Sequence, residues 1–423
     1  MTPNASEWLI FFGCVIAFVA SPLRDTTDSF LTLHSAFSLA RGSWGDISLV
    51  APDAISNPSV IILPDGRAVS GYPIGPALLF APIAYIADRV FPTGVEWFLR
   101  NNSLFTHKVV ASIIGSLTIA IFYKAMLLRF DRRTAITLAL ILAFATSIWS
   151  TTTRGLWTHG PLVMWLCVAL YFTLGRQTAA AALAGAAAAL AFVMRPTGSI
   201  AMIAIGSVFM WRGLRSLSWY VVGSGIGLLS WAAMQIAVFG QLLPGYYNPT
   251  IMLGATPAVT EALAGNLVSP SRGLFVFSPV LLFAAPGIVL AVRSSADRPM
   301  GYAILFALVV QWVVISFNPG WWAGYSFGPR LMTDVLPFLV LAIGYWLACP
   351  SPRTGWQSVL TRRVAFPVLC TLSVAIHAQG AFLNESRKWM DEPWNPEQLW
   401  SWRDPQVFVF AHRFRSHAVL DPN

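Results

Sequence analysis

The sequence has few charged residues and few cysteines. Of its 423 residues, 11% are charged and 56% are hydrophobic, whereas soluble proteins carry about 25% charged residues. A chain with so little polar surface cannot cover a large soluble globule, so most of it must face lipid. This excludes an ordinary soluble domain and a disordered chain. The cysteines lie in or beside apolar runs without regular spacing, which argues against a disulfide framework and a zinc site; they are Cys14, Cys167, Cys349 and Cys370.

Long apolar runs are what the sequence has instead. A membrane-spanning helix needs about 20 mostly apolar residues, and we place eleven such runs, some of them short enough to need tilt or local thinning of the bilayer. We therefore predict an all-α fold, a polytopic bundle of about eleven transmembrane helices. The runs are Trp8–Pro22, Val109–Leu128, Thr134–Ser150, Pro161–Leu174, Ala179–Met194, Ser199–Trp211, Trp219–Phe239, Ser278–Val292, Tyr302–Phe317, Val335–Ala348 and Val364–Phe382.

Arginines in the short loops predict the orientation, because cytoplasmic loops are enriched in Arg and Lys. They follow every second run and all fall on one side if the N-terminus is cytoplasmic and the C-terminus is outside. The first run lacks the basic n-region of a signal peptide, so we interpret it as an uncleaved span. These arginines are Arg129, Arg132, Arg133, Arg176, Arg212, Arg215, Arg293, Arg298, Arg353, Arg362 and Arg363.

Two long segments fall on the predicted outer side, residues 23–108 and 383–423. We predict a transmembrane module over residues 1–382 and a short Trp-rich outer tail after it. Within the first outer loop, residues 72–91 are apolar but contain three prolines before Ile83 and end in Asp88 and Arg89. A span here would reverse every later loop, so we predict a re-entrant or interfacial helix.

The interiors of the predicted spans lack ionisable groups. Lys124 lies near the inner end of its run and His377 near the outer end of the last one. Ion-coupled transporters need such groups near the middle of the bilayer, so the pattern argues against ion coupling. The net charge of +9 mostly orients the helices, and we predict no nucleic-acid partner. Chemistry should occur at the outer water interface.

Two carboxylates follow the first span, Asp25 and Asp28. A carboxylate at the membrane surface beside apolar residues has its basicity raised by desolvation, which suits a general base acting on a hydroxyl. Capping of the following amphipathic helix is an equally good explanation of either residue. His34 on that helix is a candidate substrate contact. Arg67 and Tyr72 are further candidates, although a structural turn explains Asp65–Pro82 better.

Five more candidates lie in short outer loops. Arg154 and His159 flank Trp157 in a loop that must stay near the membrane surface, and Arg195 precedes a proline. Arg272 and Arg330 lie in Gly/Pro/Ser-rich segments just above two spans, a suitable arrangement for holding a phosphate with charge-assisted hydrogen bonds. A structural histidine, and an aromatic belt with snorkelling arginines, are the competing explanations.

Aromatic residues accompany the last of these arginines. Trp321, Trp322 and Tyr325 offer flat faces against which the C–H groups of a sugar could stack. We predict that Trp322 and Tyr325 contact substrate.

The order of these segments resembles the GT-C superfamily of polytopic membrane glycosyltransferases, which use polyprenyl-phosphate-linked sugars, and more closely an uncharacterised bacterial branch of it. The resemblance runs nearly end to end. The segments that carry it are DSFLTLHSAFSLARG (28–42), YPIG (72–75), WTHGP (157–161), SPSRGLFVFSP (269–279), WWAGYSFGPRLMTD (321–334) and LWSWRDPQ (399–406).

The resemblance implies an inverting glycosyltransferase in a bacterial inner membrane with its active site facing the periplasm. Asp28 corresponds to the catalytic acidic residue of the first outer loop, and Asp25 stays open as the alternative. The donor is a polyprenyl-phosphate-linked sugar, and the acceptor is a hydroxyl on a glycan, lipid or protein. From the placement of the outer-loop residues we predict that the phosphate is held by Arg330, Arg272, Arg195 and Arg154, and that His159 contacts substrate. No cofactor is needed; the chemistry admits a divalent cation, but no cluster of carboxylates requires one.

Two other functions stay open. A flippase or transporter of lipid-linked sugars would share the fold and the outer arginines. It would need a polar path across the bilayer, and the uncharged interiors of the predicted spans argue against one. A non-catalytic subunit that binds polyprenyl phosphate would need neither a path nor a base.

Overall fold

The structure, a computed structural model, describes residues 5–24, 29–91, 94–175, 179–242, 259–349, 360–384, 386, 389 and 396–410. It is predominantly helical, with almost no sheet among the described residues, and a helix coincides with each of the eleven apolar runs. These helices are α1 (Ala5–Ala20), α5 (Ser103–Leu127), α6 (Arg132–Phe144), α7 (His159–Leu174), α8 (Ala179–Met194), α9 (Gly198–Trp211), α10 (Leu214–Phe239), α13 (Ala284–Arg293), α14 (Arg298–Ser316), α15 (Leu336–Ala348) and α16 (Phe366–Phe382).

Within the described residues, five helical segments are long and apolar enough to cross a membrane. Helices α15 and α16 are too short to cross a membrane by themselves. Each reaches a sufficient length together with the helical turn that directly precedes it. The number of spans, and the side on which each loop lies, stay predictions. The five segments are Ser103–Leu127, Leu214–Phe239, Arg298–Ser316, Arg330–Ala348 and Thr361–Phe382.

The predicted first outer loop packs in an apolar cluster that also contains residues of α5, α7 and α10. Its two strands pair antiparallel with Ile61 opposite Val69. The predicted interfacial segment forms α3, which contains Pro82 and packs on α2, and this helix is not among the five long apolar segments of the described residues. The elements are α2 (Phe30–Ala40), β1 (Val60–Ile62), β2 (Ala68–Ser70), α3 (Gly75–Val90) and α4 (Val95–Asn101).

Helices α8 and α10 approach each other closely because small residues line their contact. A Cβ atom added to Gly223 would lie 1.9 Å from the carbonyl oxygen of Ala182, and one added to Gly185 would lie 2.1 Å from that of Tyr220. Small residues let membrane helices approach closely enough for backbone contact. The alanine-rich sequence of α8 is therefore explained by packing.

Two groups of loops lie at opposite ends of α7. At its C-terminal end, Arg212 donates to the carbonyl oxygen of Thr173 at 2.6 Å, and these residues belong to loops predicted to be cytoplasmic. At its N-terminal end, His159 contacts residues of loops predicted to be outer. The helices α11 (Val259–Val268) and α12 (Leu274–Phe277) lie between α10 and α13 in the chain.

Candidate functional site

A buried histidine and aspartate lie at the N-terminal end of α7. His159 begins the helix, and Pro161 fits its first turn, where a missing backbone N–H costs no hydrogen bond. The Nδ1 atom of His159 lies 2.6 Å from Oδ1 of Asp334, and both side chains are almost inaccessible. The Nε2 atom of His159 is buried and has no hydrogen-bond partner among the described residues.

Arg195 joins this pair from the turn between α8 and α9. Its Nε atom lies 3.7 Å from Oδ2 of Asp334, and it donates to the hydroxyl of Thr197 at 3.1 Å. Thr197 in turn donates to Oδ2 of Asp334 at 2.6 Å. Asp334 therefore connects the start of α7, the α8–α9 turn and the turn before α15.

Arg330 lies near His159 and stacks on Trp157. Its guanidinium is 4.2 Å from the ring centroid of Trp157, and its charge acts on His159. Gly328, two residues earlier, has φ +71, and an added Cβ would lie 2.6 Å from the Phe277 ring. Only glycine fits this turn, which brings the backbone from the segment of residues 321–327, here called the aromatic loop, to Arg330.

Arg272 lies in the loop between α11 and α12. It is buried and contacts four oxygen atoms of the protein. Its Nε donates to the carbonyl oxygen of Trp322, and Nη1 donates to Oε1 of Gln406 at 2.5 Å and to the carbonyl oxygen of Ser271 at 2.6 Å. Nη2 donates to the carbonyl oxygen of Gly324 at 3.0 Å. These contacts join the aromatic loop to the outer tail.

The charge of Arg272 persists at neutral pH despite its burial. Burial, and to a lesser extent the positive charge of Arg330, lower the pKa of Arg272 to about 9. The guanidinium therefore contributes a positive charge to the region around Arg330. Its predicted role in binding the donor phosphate stays a prediction, beside the structural role that its four contacts indicate.

Arg154 is buried in the loop before α7, and its charge acts on Lys108 near the start of α5. Lys108 is also buried, and its Nζ donates to the hydroxyl of Ser21 at 2.6 Å. The described residues thus bring the cationic groups of several predicted outer loops to one end of the bundle. These groups are Lys108, Arg154, Arg195, Arg272 and Arg330.

Three predicted residues lie in the first outer loop with other contacts. Arg67 forms an ion pair with Asp65 at 2.7 Å, within the turn between β1 and β2. The Tyr72 hydroxyl lies 3.4 Å from that of Ser59. His34 is buried against Phe30, whose carbonyl oxygen lies 3.0 Å from its Nδ1, and burial lowers the pKa of His34. It lines a cavity of about 420 Å³ with Asp53 and other polar groups.

The structure describes the predicted aromatic residues but not the predicted acidic ones. Tyr325 is 56% exposed, and its contact with substrate stays a prediction. Trp322 packs edge-on against Trp321, with ring centroids 6.1 Å apart. Asp25 and Asp28 lie outside the described residues, so the predicted base stays a prediction.

Sequence reasoning did not select Asp334 or Lys108 as functional residues. Asp334 lies four residues after Arg330 and just before an apolar run, and a lone carboxylate in that position is a signal for a buried partner. Lys108 lies at the boundary between the first outer loop and a span, where a lysine usually reaches water. Only the packing of α1 against α5 shows that it does not.

Comparison with family models, curated proteins and solved structures found no match. In the part of the chain that the structure describes, no three His, Cys, Asp or Glu side chains are grouped so that they could hold a metal ion. The family resemblance and the function therefore stay predictions.

Proposed function

We propose that this protein is a membrane glycosyltransferase that moves a sugar from a polyprenyl-phosphate donor to an acceptor hydroxyl on the outer face of the membrane. The observation that carries the proposal is the convergence of buried cationic groups with His159 at one end of an apolar helical bundle. A lipid phosphate at headgroup height is the anion that such a position would meet.

The electrostatics of the described residues favour an anionic ligand. Arg195 and Arg330 lie beside His159, and Asp334 is a carboxylate that already accepts hydrogen bonds from its neighbours. Cationic groups held in a low-dielectric region stabilise developing negative charge more strongly than the same groups in water. This arrangement suits the negative charge of a departing phosphate.

In the proposed reaction, Asp28, with Asp25 as the alternative, takes the proton of the acceptor hydroxyl. The acceptor oxygen attacks the anomeric carbon while the bond from that carbon to the phosphate oxygen breaks. The phosphate leaves with both electrons of that bond, and the anomeric configuration inverts. Arg330, Arg195 and Arg154 stabilise the leaving phosphate.

The direct test incubates purified protein with a panel of polyprenyl-phosphate sugars and measures release of polyprenyl phosphate. On a donor that the wild type consumes, Asp28→Asn should lower the rate about 100-fold or more, the usual contribution of a general base. Asp131→Asn, at an exposed carboxylate that caps the start of α6, should leave the rate unchanged.

The other functions give different results in the same experiment. If no donor is consumed while labelled lipid-linked sugar crosses protein-containing liposomes, the protein is a transporter. If Asp28→Asn and Asp25→Asn both react like the wild type, neither carboxylate is the base.

A further inference from the structure

A polar cavity opens in the predicted first outer loop, between the segment before β1 and the helices α2 and α4. Its volume is about 420 Å³, which is within the range of small-molecule binding sites. The side chains that line it combine planar polar groups with aromatic rings, and none of them has a role in the reaction proposed above. They include Phe30, His34, Asp53, Asn57, Glu96 and Arg100.

Arg100 holds the two carboxylates of this cavity. Its Nη2 atom donates to Oδ2 of Asp53 at 2.6 Å and to Oε1 of Glu96 at 3.1 Å. One guanidinium thus orients both carboxylates before a ligand arrives, which lowers the entropy lost on binding. All three side chains are more than half exposed, so a ligand can reach them from the water.

Asn57 and His34 add polar groups whose positions the fold also fixes. Oδ1 of Asn57 accepts a hydrogen bond from the backbone N–H of Ser59 at 2.9 Å, and its amide nitrogen carries two N–H donors. Nδ1 of His34 lies 3.0 Å from the carbonyl oxygen of Phe30. Because a carbonyl oxygen only accepts, Nδ1 carries the proton and Nε2 is an acceptor in the neutral ring. The cavity therefore offers both donors and acceptors.

Two aromatic rings form one wall of the cavity. The centroids of Phe30 and His34 are 4.7 Å apart, with their planes inclined at 42°. The negative face of an aromatic ring attracts C–H groups, and a sugar carries C–H groups on the faces of its ring. Its hydroxyls both donate and accept hydrogen bonds, so they match the carboxylates, the amide and the guanidinium. A sugar is the ligand class that uses both kinds of surface.

The charge of the lining residues argues against a phosphate in this cavity. Asp53 and Glu96 carry two negative charges, and Arg100 carries one positive charge. Burial lowers the pKa of His34, which keeps its ring neutral at pH 7. The lining is therefore negative by one charge, opposite in sign to the cationic groups around His159. It repels an anionic group but not a neutral sugar.

We propose that this cavity binds a neutral sugar unit of a glycan and that this glycan is the acceptor of the transfer. Asp28, the proposed base, precedes Phe30 by two residues in the sequence, and two residues span about 7 Å at most. A sugar packed against Phe30 therefore lies close to the segment that carries the base, and one of its hydroxyls supplies the attacking oxygen. The acceptor role rests on the proposed function, whereas the sugar site rests on the cavity.

The experiment screens the wild type against an array of neutral oligosaccharides, without donor and in a detergent that has no sugar head group. Calorimetric titration then measures the affinity of the tightest binder. Asp53→Ala and Glu96→Ala should each weaken binding about 10-fold or more, because each removes a charge-assisted hydrogen bond.

Asp88→Ala is the matched control for these variants. Asp88 also pairs with an arginine of the same outer loop, Arg41, and it does not line the cavity. This variant should bind like the wild type. Equal affinities of the cavity variants and the control would overturn the proposal, and so would a wild type that binds no neutral oligosaccharide.

A phosphorylated derivative of the tightest-binding oligosaccharide tests the charge of the ligand. It should bind more weakly than the neutral sugar, because the lining of the cavity is negative. Equal or tighter binding of the phosphorylated sugar would overturn the assignment of a neutral ligand.

Hydrogen exchange of the wild type covers the case in which the cavity variants do not fold. Addition of the oligosaccharide should slow exchange in residues 51–57 and in α4, which line the cavity, and should leave α6 unchanged. Exchange that does not slow in residues 51–57 and α4 would contradict the proposal.

Transfer assays distinguish this proposal from the proposed function. With an active donor, Asp53→Ala should raise the KM for the glycan and leave kcat and the KM for the donor nearly unchanged, whereas Asp28→Asn should lower kcat and still bind the glycan. A wild type that binds the glycan but uses no donor would refute the proposed function and leave the sugar site standing. Transfer only to a lipid or protein acceptor, without glycan binding, would refute the sugar site and leave the proposed function standing.

Discussion

His159 and Asp334 form a buried pair, with Nδ1 and Oδ1 2.6 Å apart, although they are separated by 175 residues in the chain. The same carboxylate accepts from Thr197 and lies near Arg195. Asp334 therefore fixes the orientation of His159 and offsets the positive charge of Arg195.

Replacing Asp334 by asparagine should destabilise the protein. The substitution keeps the shape of the side chain but removes the negative charge that Arg195 faces, and breaking a buried charge pair costs about 3 to 5 kcal/mol. Thermal unfolding in detergent measures the loss. Asp53→Asn is the control, because Asp53 pairs with Arg100 on the exposed surface; an equal effect of both variants would contradict the importance of the Asp334 network.

Arg272 should prove necessary for attachment of the outer tail. Arg272→Lys cannot reproduce the fork of donors that contacts Trp322, Gly324 and Gln406. We expect it to lower the free energy of unfolding by about 2 kcal/mol and to speed proteolysis of the tail. Gln406→Ala should also speed proteolysis, because it removes the tail side of the same contact. An intact tail in both variants would show that other contacts hold it.

Gly223 and Gly225 lie two residues apart on α10 and should respond oppositely to alanine. A Cβ at Gly223 would overlap the backbone of Ala182, so Gly223→Ala should cost about 1 to 3 kcal/mol by overpacking. A Cβ at Gly225 meets nothing within 4 Å, and alanine favours the helix by about 1 kcal/mol. Unfolding temperatures of the two variants test the α8–α10 contact, and equal temperatures would argue against it.

His34 should make the protein less stable in mild acid. Burial lowers its pKa in the folded state, so as the pH falls below about 6.5 the unfolded chain takes up a proton that the folded chain does not. The lost stability approaches about 1.4 kcal/mol per pH unit. Unfolding measured between pH 7 and pH 5 should show a smaller loss for His34→Gln, and parallel curves for the two proteins would exclude this contribution.

Composition and hydrophobic pattern were sufficient to predict the kind of fold. Apolar runs specify helices because backbone polar groups must be satisfied within the membrane, and a helix lies at each predicted run. These are local properties, so they can be determined from neighbouring residues in the chain. Whether α3, within residues 72–91, crosses the membrane stays a prediction.

The tertiary structure alone decided which side chains meet. Asp334 is a single carboxylate in a glycine-rich segment, and no local pattern links it to His159 or Thr197. Lys108 and Lys124 have the same chemistry and lie on the same helix, yet one is buried beside Ser21 and the other pairs with Glu7. Their different environments arise from the way α1 packs along α5, and this depends on contacts between segments that are distant in sequence.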